Sequence, residues 1–311
     1  MTATRSFLRY RNSLLSVVLL LLIVMLTACQ PAGDLGSRNN PVRLYFTPSV
    51  DADTIASNSR EFIRFLEQET GHYYTTGIPT SYIAVVEAFG SGRADIGAMN
   101  SFGYLMAHER YGAEAHLKMI RHGVDYYQGQ IVVRADSGIE TIADLAGKRF
   151  AFTDPASTSG YLFPLKMLLD ENVTLGHETF AMKHDSVITM VYQGQVDAGS
   201  AYYSAPAADG SIRDARQRVL TQFPDVTERV RILAVTEKIP NDPFVFRKDL
   251  PADIRDSFIT AIKKFLSTEQ GRDIFRNIYS VEGLIDATDE DYQPLREMIR
   301  TIEIDTESLV L

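Results

Sequence analysis

Two segments far apart in the chain follow one pattern. Gly92-Arg93-Ala94-Asp95-Ile96-Gly97-Ala98 and Gly194-Gln195-Val196-Asp197-Ala198-Gly199-Ser200 each run glycine, spacer, small or apolar residue, aspartate, apolar residue, small residues. Each comes after an apolar helical stretch, and the pair marks an internal correspondence between two lobes. The surrounding order agrees. Strand-like Arg43–Thr47 precedes a helix carrying Ile55, Phe62 and Leu66, and strand-like His72–Thr76 precedes a helix carrying Tyr82, Val85, Val86 and Phe89. A second α/β run begins at Thr141, after a strand over Gln130–Val133. Beyond Pro251, Ile254, Phe258, Ile262 and Phe265 form the apolar stripe of an amphipathic helix. An α/β protein of two lobes is expected, with lobe 1 from 42–130 and 236–311 and lobe 2 from 131–235. Gln130–Val133 and Ala234–Val235 are the expected hinge strands, and a ligand cleft is expected between the lobes, at strand C-terminal ends.

The sharpest local signal is Asp154-Pro155-Ala156-Ser157-Thr158-Ser159-Gly160-Tyr161. Lys148–Phe152 reads as a strand, and Leu162, Leu165, Leu168 and Leu169 give helical spacing after the turn. The first amides of a helix lack intrahelical acceptors, and the macrodipole places partial positive charge there. Three hydroxyl residues and a glycine that lets a ligand approach make that end an oxyanion cradle. A plain Ser/Thr N-cap is the competing reading, and it needs only one such residue.

The N-terminus has the order of a secretory signal. Arg5, Arg9 and Arg11 precede an apolar run from Leu14 to Met25, too short for the roughly 20 residues of a membrane span. Leu26-Thr27-Ala28-Cys29 then resembles a bacterial lipobox, and Cys29 is the single cysteine of the chain. Residues 1–28 are therefore expected to be a lipoprotein signal peptide. Lipidation is expected at Cys29, followed by a flexible tether over 29–41 and a location outside the cytoplasmic membrane. Without its signal segment the chain keeps 28 basic residues against 40 acidic ones. That balance argues against nucleic acid, which needs a basic footprint. Any bound anion must then be held by local donors and helix ends.

With these residues in view the chain resembles the phosphonate/phosphite/phosphate-binding proteins of ABC importers, within the type II periplasmic-binding-protein fold. The resemblance spans essentially the whole mature chain. Asp154-Pro155-x-Ser157-Thr158-Ser159-Gly160-Tyr161 carries most of it, supported by Gly92–Ile96, Ala146-Gly147-Lys148, Gly194–Ala198 and Ile239–Pro243. It implies that Ser157, Thr158 and Ser159 grip phosphorus oxygens, and that Tyr82, Tyr127, His184 and Asp242 also touch the ligand. It further implies an ABC permease as partner, a monomer, no cofactor and no metal. Family members that take aminoalkyl phosphonates use a second carboxylate for the ammonium, and Tyr203 is found at the corresponding position.

Tyr203 cannot pair with a cation as an acid does. A carboxylate facing an oxyanion is repulsive unless the ligand shares a proton, so Asp242 favours a ligand carrying P–OH. Phosphite, phosphate or a short alkylphosphonate is the expected ligand, with aminoalkyl phosphonates as the alternative. A sensing role that reports to a membrane receptor would use the same cleft and closure. Enzyme chemistry has little support: there is no G-x-S-x-G elbow, and the six histidines show no H-E-x-x-H spacing.

Overall fold

The structure, a computed structural model, describes residues 33–302. The expected signal peptide and Cys29 lie outside the described residues. In the first lobe, β1 (Val42–Phe46), α1 (Ala52–Thr70), β2 (Tyr74–Gly77), α2 (Tyr82–Gly90), β3 (Ile96–Ala98), α3 (Ser101–Tyr111) and β4 (Glu114–Ile120) follow in turn. The chain then enters the second lobe as β5 (Tyr126–Arg134). There it forms β6 (Arg149–Phe152), α4 (Phe163–Asp170), β7 (His177–Phe180), α5 (His184–Tyr192), β8 (Ala198–Tyr203), α6 (Val226–Arg229) and β9 (Val230–Pro240). It returns as β10 (Pro243–Phe246), α7 (Ala252–Ser267), α8 (Glu269–Tyr279), β11 (Gly283–Asp286) and α9 (Gln293–Thr301).

The first sheet has the order β11-β4-β10-β3-β1-β2 and the second β7-β6-β8-β5-β9. In each, a central strand pairs parallel with both neighbours: β1 with β2 and β3, β6 with β7 and β8. An antiparallel strand follows in each, β10 beside β3 and β5 beside β8. Strand for strand, β2-β1-β3-β10-β4 matches β7-β6-β8-β5-β9.

The repeated sequence pattern is the fastener of this arrangement. Arg43 donates its backbone N–H and Nε to Asp95 Oδ2 at 2.9 and 2.7 Å, and Asp95 N returns a bond to Arg43 O. Arg149 does the same with Asp197, at 2.9 and 3.2 Å, with Asp197 N returning to Arg149 O. Each aspartate thus ties the start of one parallel strand to the entry of the next. Asp95 is fully buried and takes a second arginine, Arg247, at 2.7 Å, whereas Asp197 keeps one.

Apolar clusters cover both faces of each sheet. Phe62, Phe258, Phe265 and Phe275 pack one face of the first sheet, and the expected stripe Ile254, Phe258, Ile262 and Phe265 is wholly buried there. The other face, with Val85, Phe102, Tyr104 and Tyr292, also takes in Ala156, Leu162 and Phe163 of the second lobe. The two lobes are therefore in contact beside the cleft.

Two expected boundaries shift. Residues 130/131 and 235/236 fall inside β5 and β9, which pair with each other from Tyr126↔Pro240 to Arg134↔Val230. The crossings lie instead at residues 121–125 and 241–242, just outside those strands. The part of the expected tether that is described belongs to the fold. Within residues 33–41, Gly36 N bonds Asn40 O at 2.8 Å, Tyr73 N bonds Gly36 O at 2.8 Å, and Leu35 packs on the core. Among the described residues, no helix is long and apolar enough to cross a membrane.

Candidate functional site

The helix start after β6 is built around a proline. Pro164 has no N–H and its ring crowds the carbonyl four residues back, so the first turn opens into a π-turn over Thr158–Leu162. Leu162 N reaches Ser157 O at 3.0 Å, and the freed Gly160 carbonyl accepts from Thr153 N at 3.0 Å and Ser200 Oγ at 2.7 Å. Ser157 is the N-cap, its hydroxyl accepting from Gly160 N at 3.1 Å. The Thr158 and Ser159 amides precede any intrahelical acceptor and stand at the positive end of the turn. Gly160 makes room behind the turn rather than for a ligand. A Cβ there would fall 2.2 Å from Thr153 Oγ1. Gly129 of β5 does likewise, since a Cβ would sit 2.6 Å from the Ser159 carbonyl.

The three hydroxyl residues divide their work. Ser157 and Ser159 line the interlobe cleft, which encloses about 700 Å³, part of it open to solvent. Thr158 is turned to the first lobe, and its Oγ1 accepts from Asn100 Nδ2 and Phe102 N, both at 3.0 Å. Asn100 Nδ2 also reaches Ala156 O at 2.8 Å, and Asp154 Oδ2 accepts from Tyr82 N at 3.3 Å. Asp154 and Thr158 are therefore a clasp between lobes. Burial raises the Asp154 carboxyl above its ordinary pKa.

Across the cleft, three buried polar atoms have no partner among the described residues: Thr47 Oγ1, Tyr82 Oη and Asp242 Oδ1. Burial pushes the phenols of Tyr82 and Tyr127 well up, so both stay protonated. The other Asp242 oxygen accepts from Arg121 Nη2 at 2.6 Å. Arg121 is itself fixed by Tyr279 O at 2.8 Å and Asn241 Oδ1 at 3.1 Å, and it lies 5.6 Å over the Tyr127 ring. Sequence reasoning missed Arg121. It follows β4 at a tight turn where His122 and Gly123 have φ of 52° and 78°, a feature with no motif of its own.

His184 begins α5, is buried, and lines the cleft. Its Nδ1 accepts from Tyr202 N at 3.2 Å. A backbone amide can only donate, so the ring proton sits on Nε2, which makes His184 a neutral donor. Burial, with Arg218 and Arg121 nearby, lowers its pKa to about 3. A histidine buried neutral gives stability that is complete above its unfolded pKa of about 6.5 and is lost as pH falls toward about 3. From this one group, unfolding free energy should drop by about 1.5–2 kcal/mol between pH 6.5 and 5. Denaturant titrations of wild type and His184→Gln check this. The two should diverge at pH 6.5 and converge toward pH 5, and a constant gap would contradict it.

One further expectation is corrected. Tyr203 does not line the cleft: Tyr202 and Ser204 do, because side chains alternate along a strand and Tyr203 falls on the opposite face. The cleft wall also carries cations. Among the described residues, Arg121, Arg213 and Arg218 all line it, against the single carboxylate of Asp242.

A family model described as "ABC transporter, phosphonate, periplasmic substrate-binding protein" matches residues 44–292. The phosphate-import protein PhnD of Mycolicibacterium smegmatis is 30% identical over 175 residues, 52% of this chain and 54% of that protein. The phosphonates-binding periplasmic protein of Escherichia coli is 22% identical over 232 residues, 70% of this chain and 64% of that one. The chain thus spans between half and two thirds of these curated relatives. PhnD1 from Prochlorococcus marinus in complex with methylphosphonate superposes with a TM-score of 0.71 at 18% identity, covering 84% of this chain and 97% of that one. At that identity the superposition speaks for the fold.

Proposed function

Since the chain belongs to the family of periplasmic substrate-binding proteins of phosphonate ABC transporters, we propose that it captures a small phosphorus oxyanion in this cleft and delivers it to an ABC permease. The family is one of substrate-binding transport components, not of enzymes. In this reading Cys29 carries the lipid that moors the protein outside the cytoplasmic membrane. Closure, not covalent chemistry, is the working step.

The observation that carries the reading is Asp242 Oδ1, a buried acceptor without a donor whose sister oxygen is held by Arg121. The same cleft is lined by Ser157, Ser159 and His184, whose hydroxyls and Nε2–H are suited to oxygen ligands. A monoprotonated phosphorus oxyanion satisfies both walls: its charged oxygens take the donors and its P–OH gives Asp242 a proton. Sulfate has no proton to offer. Arg121 offsets the repulsion that a lone carboxylate would exert on the anion. An ammonium tail finds no second carboxylate among the described lining residues, only Arg213 and Arg218. The phosphate-import name of one relative and the methylphosphonate complex of another agree with the phosphorus headgroup.

Calorimetry on the mature domain with phosphite, phosphate, methylphosphonate, 2-aminoethylphosphonate and sulfate tests this. At least one of the first three should bind, with 2-aminoethylphosphonate weaker by about tenfold or more. Tight 2-aminoethylphosphonate binding without any for phosphite would overturn the ligand assignment.

A further inference from the structure

The seat described above leaves two cleft arginines unused. Arg213 and Arg218 lie on the segment after β8, Arg218 within a single 3₁₀ turn at Ala215–Val219. Arg216 between them is spoken for: it is buried, and Asp214 holds it through Nε at 3.0 Å and Nη2 at 2.9 Å. Arg213 is half-buried and lines the cleft, and no described residue gives it a hydrogen bond or an ion pair. It acts on its neighbours only through space: burial, and then its charge, lower the pKa of His122 in the cleft, and it adds slightly to the lowering that the Ser211 hydroxyl and amide give the exposed Asp209 outside it. Arg218 donates Nε to Tyr202 Oη at 3.3 Å and reaches the carbonyls of Asn277 at 3.3 Å and Ile278 at 3.5 Å, all of them neutral and distant acceptors. Two partly buried guanidinium groups therefore face the cleft with no carboxylate among the described residues at ion-pair distance, although a buried charge is costly unless paired.

We infer that the cleft takes phosphonates whose short tail ends in a second anionic group, a carboxylate or a further phosphoryl, held by Arg213 and Arg218. This rests on the phosphorus-oxyanion reading of the seat and adds to it the chemistry of the tail. Arginine forks suit planar carboxylates and phosphoryl oxygens alike, and either would replace weak carbonyl contacts with charge-assisted bonds. An ammonium tail meets like charge at the same place. A plain alkyl tail leaves both arginines unanswered.

The test compares phosphonoacetate with propylphosphonate, which has a similar reach and no tail charge, with methylphosphonate as the reference for the seat. In wild type, calorimetry should find phosphonoacetate bound about tenfold or more tighter than propylphosphonate. In Arg213→Gln/Arg218→Gln that advantage should shrink to about threefold or less, while methylphosphonate affinity changes by no more than that. Equal binding of phosphonoacetate and propylphosphonate by wild type overturns the inference without any variant. An equal loss of methylphosphonate and phosphonoacetate in the variant also overturns it, by placing the arginines on the phosphoryl group. If methylphosphonate binds and the tail makes no difference, only this inference fails; if wild type binds no phosphorus ligand, the reading of the seat fails with it.

Discussion

Replacing Arg121 with alanine should weaken phosphite or methylphosphonate binding by about 30-fold or more, because a buried charge pair that loses one partner costs about 2–5 kcal/mol. The reason lies on the other side of the pair. Arg121 Nη2 holds Asp242 Oδ2 at 2.6 Å, and the Asp242 side chain is only 19% exposed. Without the guanidinium, an uncompensated carboxylate would face the incoming anion, and two like charges about 4 Å apart repel by about 4 kcal/mol at an effective dielectric of about 20. Adding Asp242→Asn to Arg121→Ala should recover part of the loss, since it removes the repulsion. Asp242→Asn alone should act differently. It replaces an obligate acceptor with a side chain that can donate, so sulfate should gain relative to phosphite. Calorimetry on all three variants measures these changes, with denaturant unfolding alongside because Arg121 also ties Tyr279 and Asn241. Wild-type affinity in Arg121→Ala would remove the pair from the binding site. No recovery in the double variant would mean that Arg121 acts on the ligand directly.

What the sequence disclosed and what it hid follow from the range of the interactions involved. The aspartate pattern was visible because Asp95 and Asp197 act on strand neighbours through the backbone, which needs a fixed local spacing. The helix start was visible for the same reason: amides without acceptors and a hydroxyl cap are properties of a few consecutive residues. The direction of each hydroxyl was not, because Pro164 opens the turn and sends Thr158 toward Asn100 and Phe102, more than fifty positions away. Tyr203 and Tyr202 are separated by one step of strand alternation, and the pairing of β8 with β5 decides which one faces the cleft. Arg121 meets Asp242 across 121 positions, a contact that no local pattern announces. The arginine-lined wall likewise escaped a reading based on net charge, since an acidic total says nothing about where the cations gather. The boundary shifts have the same origin: β5 and β9 read locally as short strands, and only their mutual pairing extends them into long ones.

The division of labour in the Ser157-Thr158-Ser159 turn leads to the second large effect. Ser157→Ala/Ser159→Ala removes two hydroxyls from the cleft wall, and hydrogen bonds to a charged group are worth about 1.5–3 kcal/mol each, so affinity should fall by about 100-fold or more. Ser157 also caps Gly160 N at 3.1 Å, so the variant should lose about 1 kcal/mol of stability as well. Its ability to close should persist, because Thr158, Asn100 and Asp154 are untouched. Thr158→Val should do the reverse. It keeps the shape but takes away the acceptor of Asn100 Nδ2 and Phe102 N, leaving donors unsatisfied only when the lobes meet. Closure should then be disfavoured by about 1–3 kcal/mol, and every ligand should weaken by the same factor, since apparent affinity scales with the competent fraction. Small-angle scattering with and without saturating ligand, read beside calorimetry, separates the two. The serine pair should change affinity at an unchanged closed state, and Thr158→Val should shift the ligand-free ensemble toward open. If Thr158→Val instead left the ensemble unchanged and weakened one ligand selectively, its hydroxyl would belong to the cradle and the clasp would rest on Asp154 and Asn100 alone.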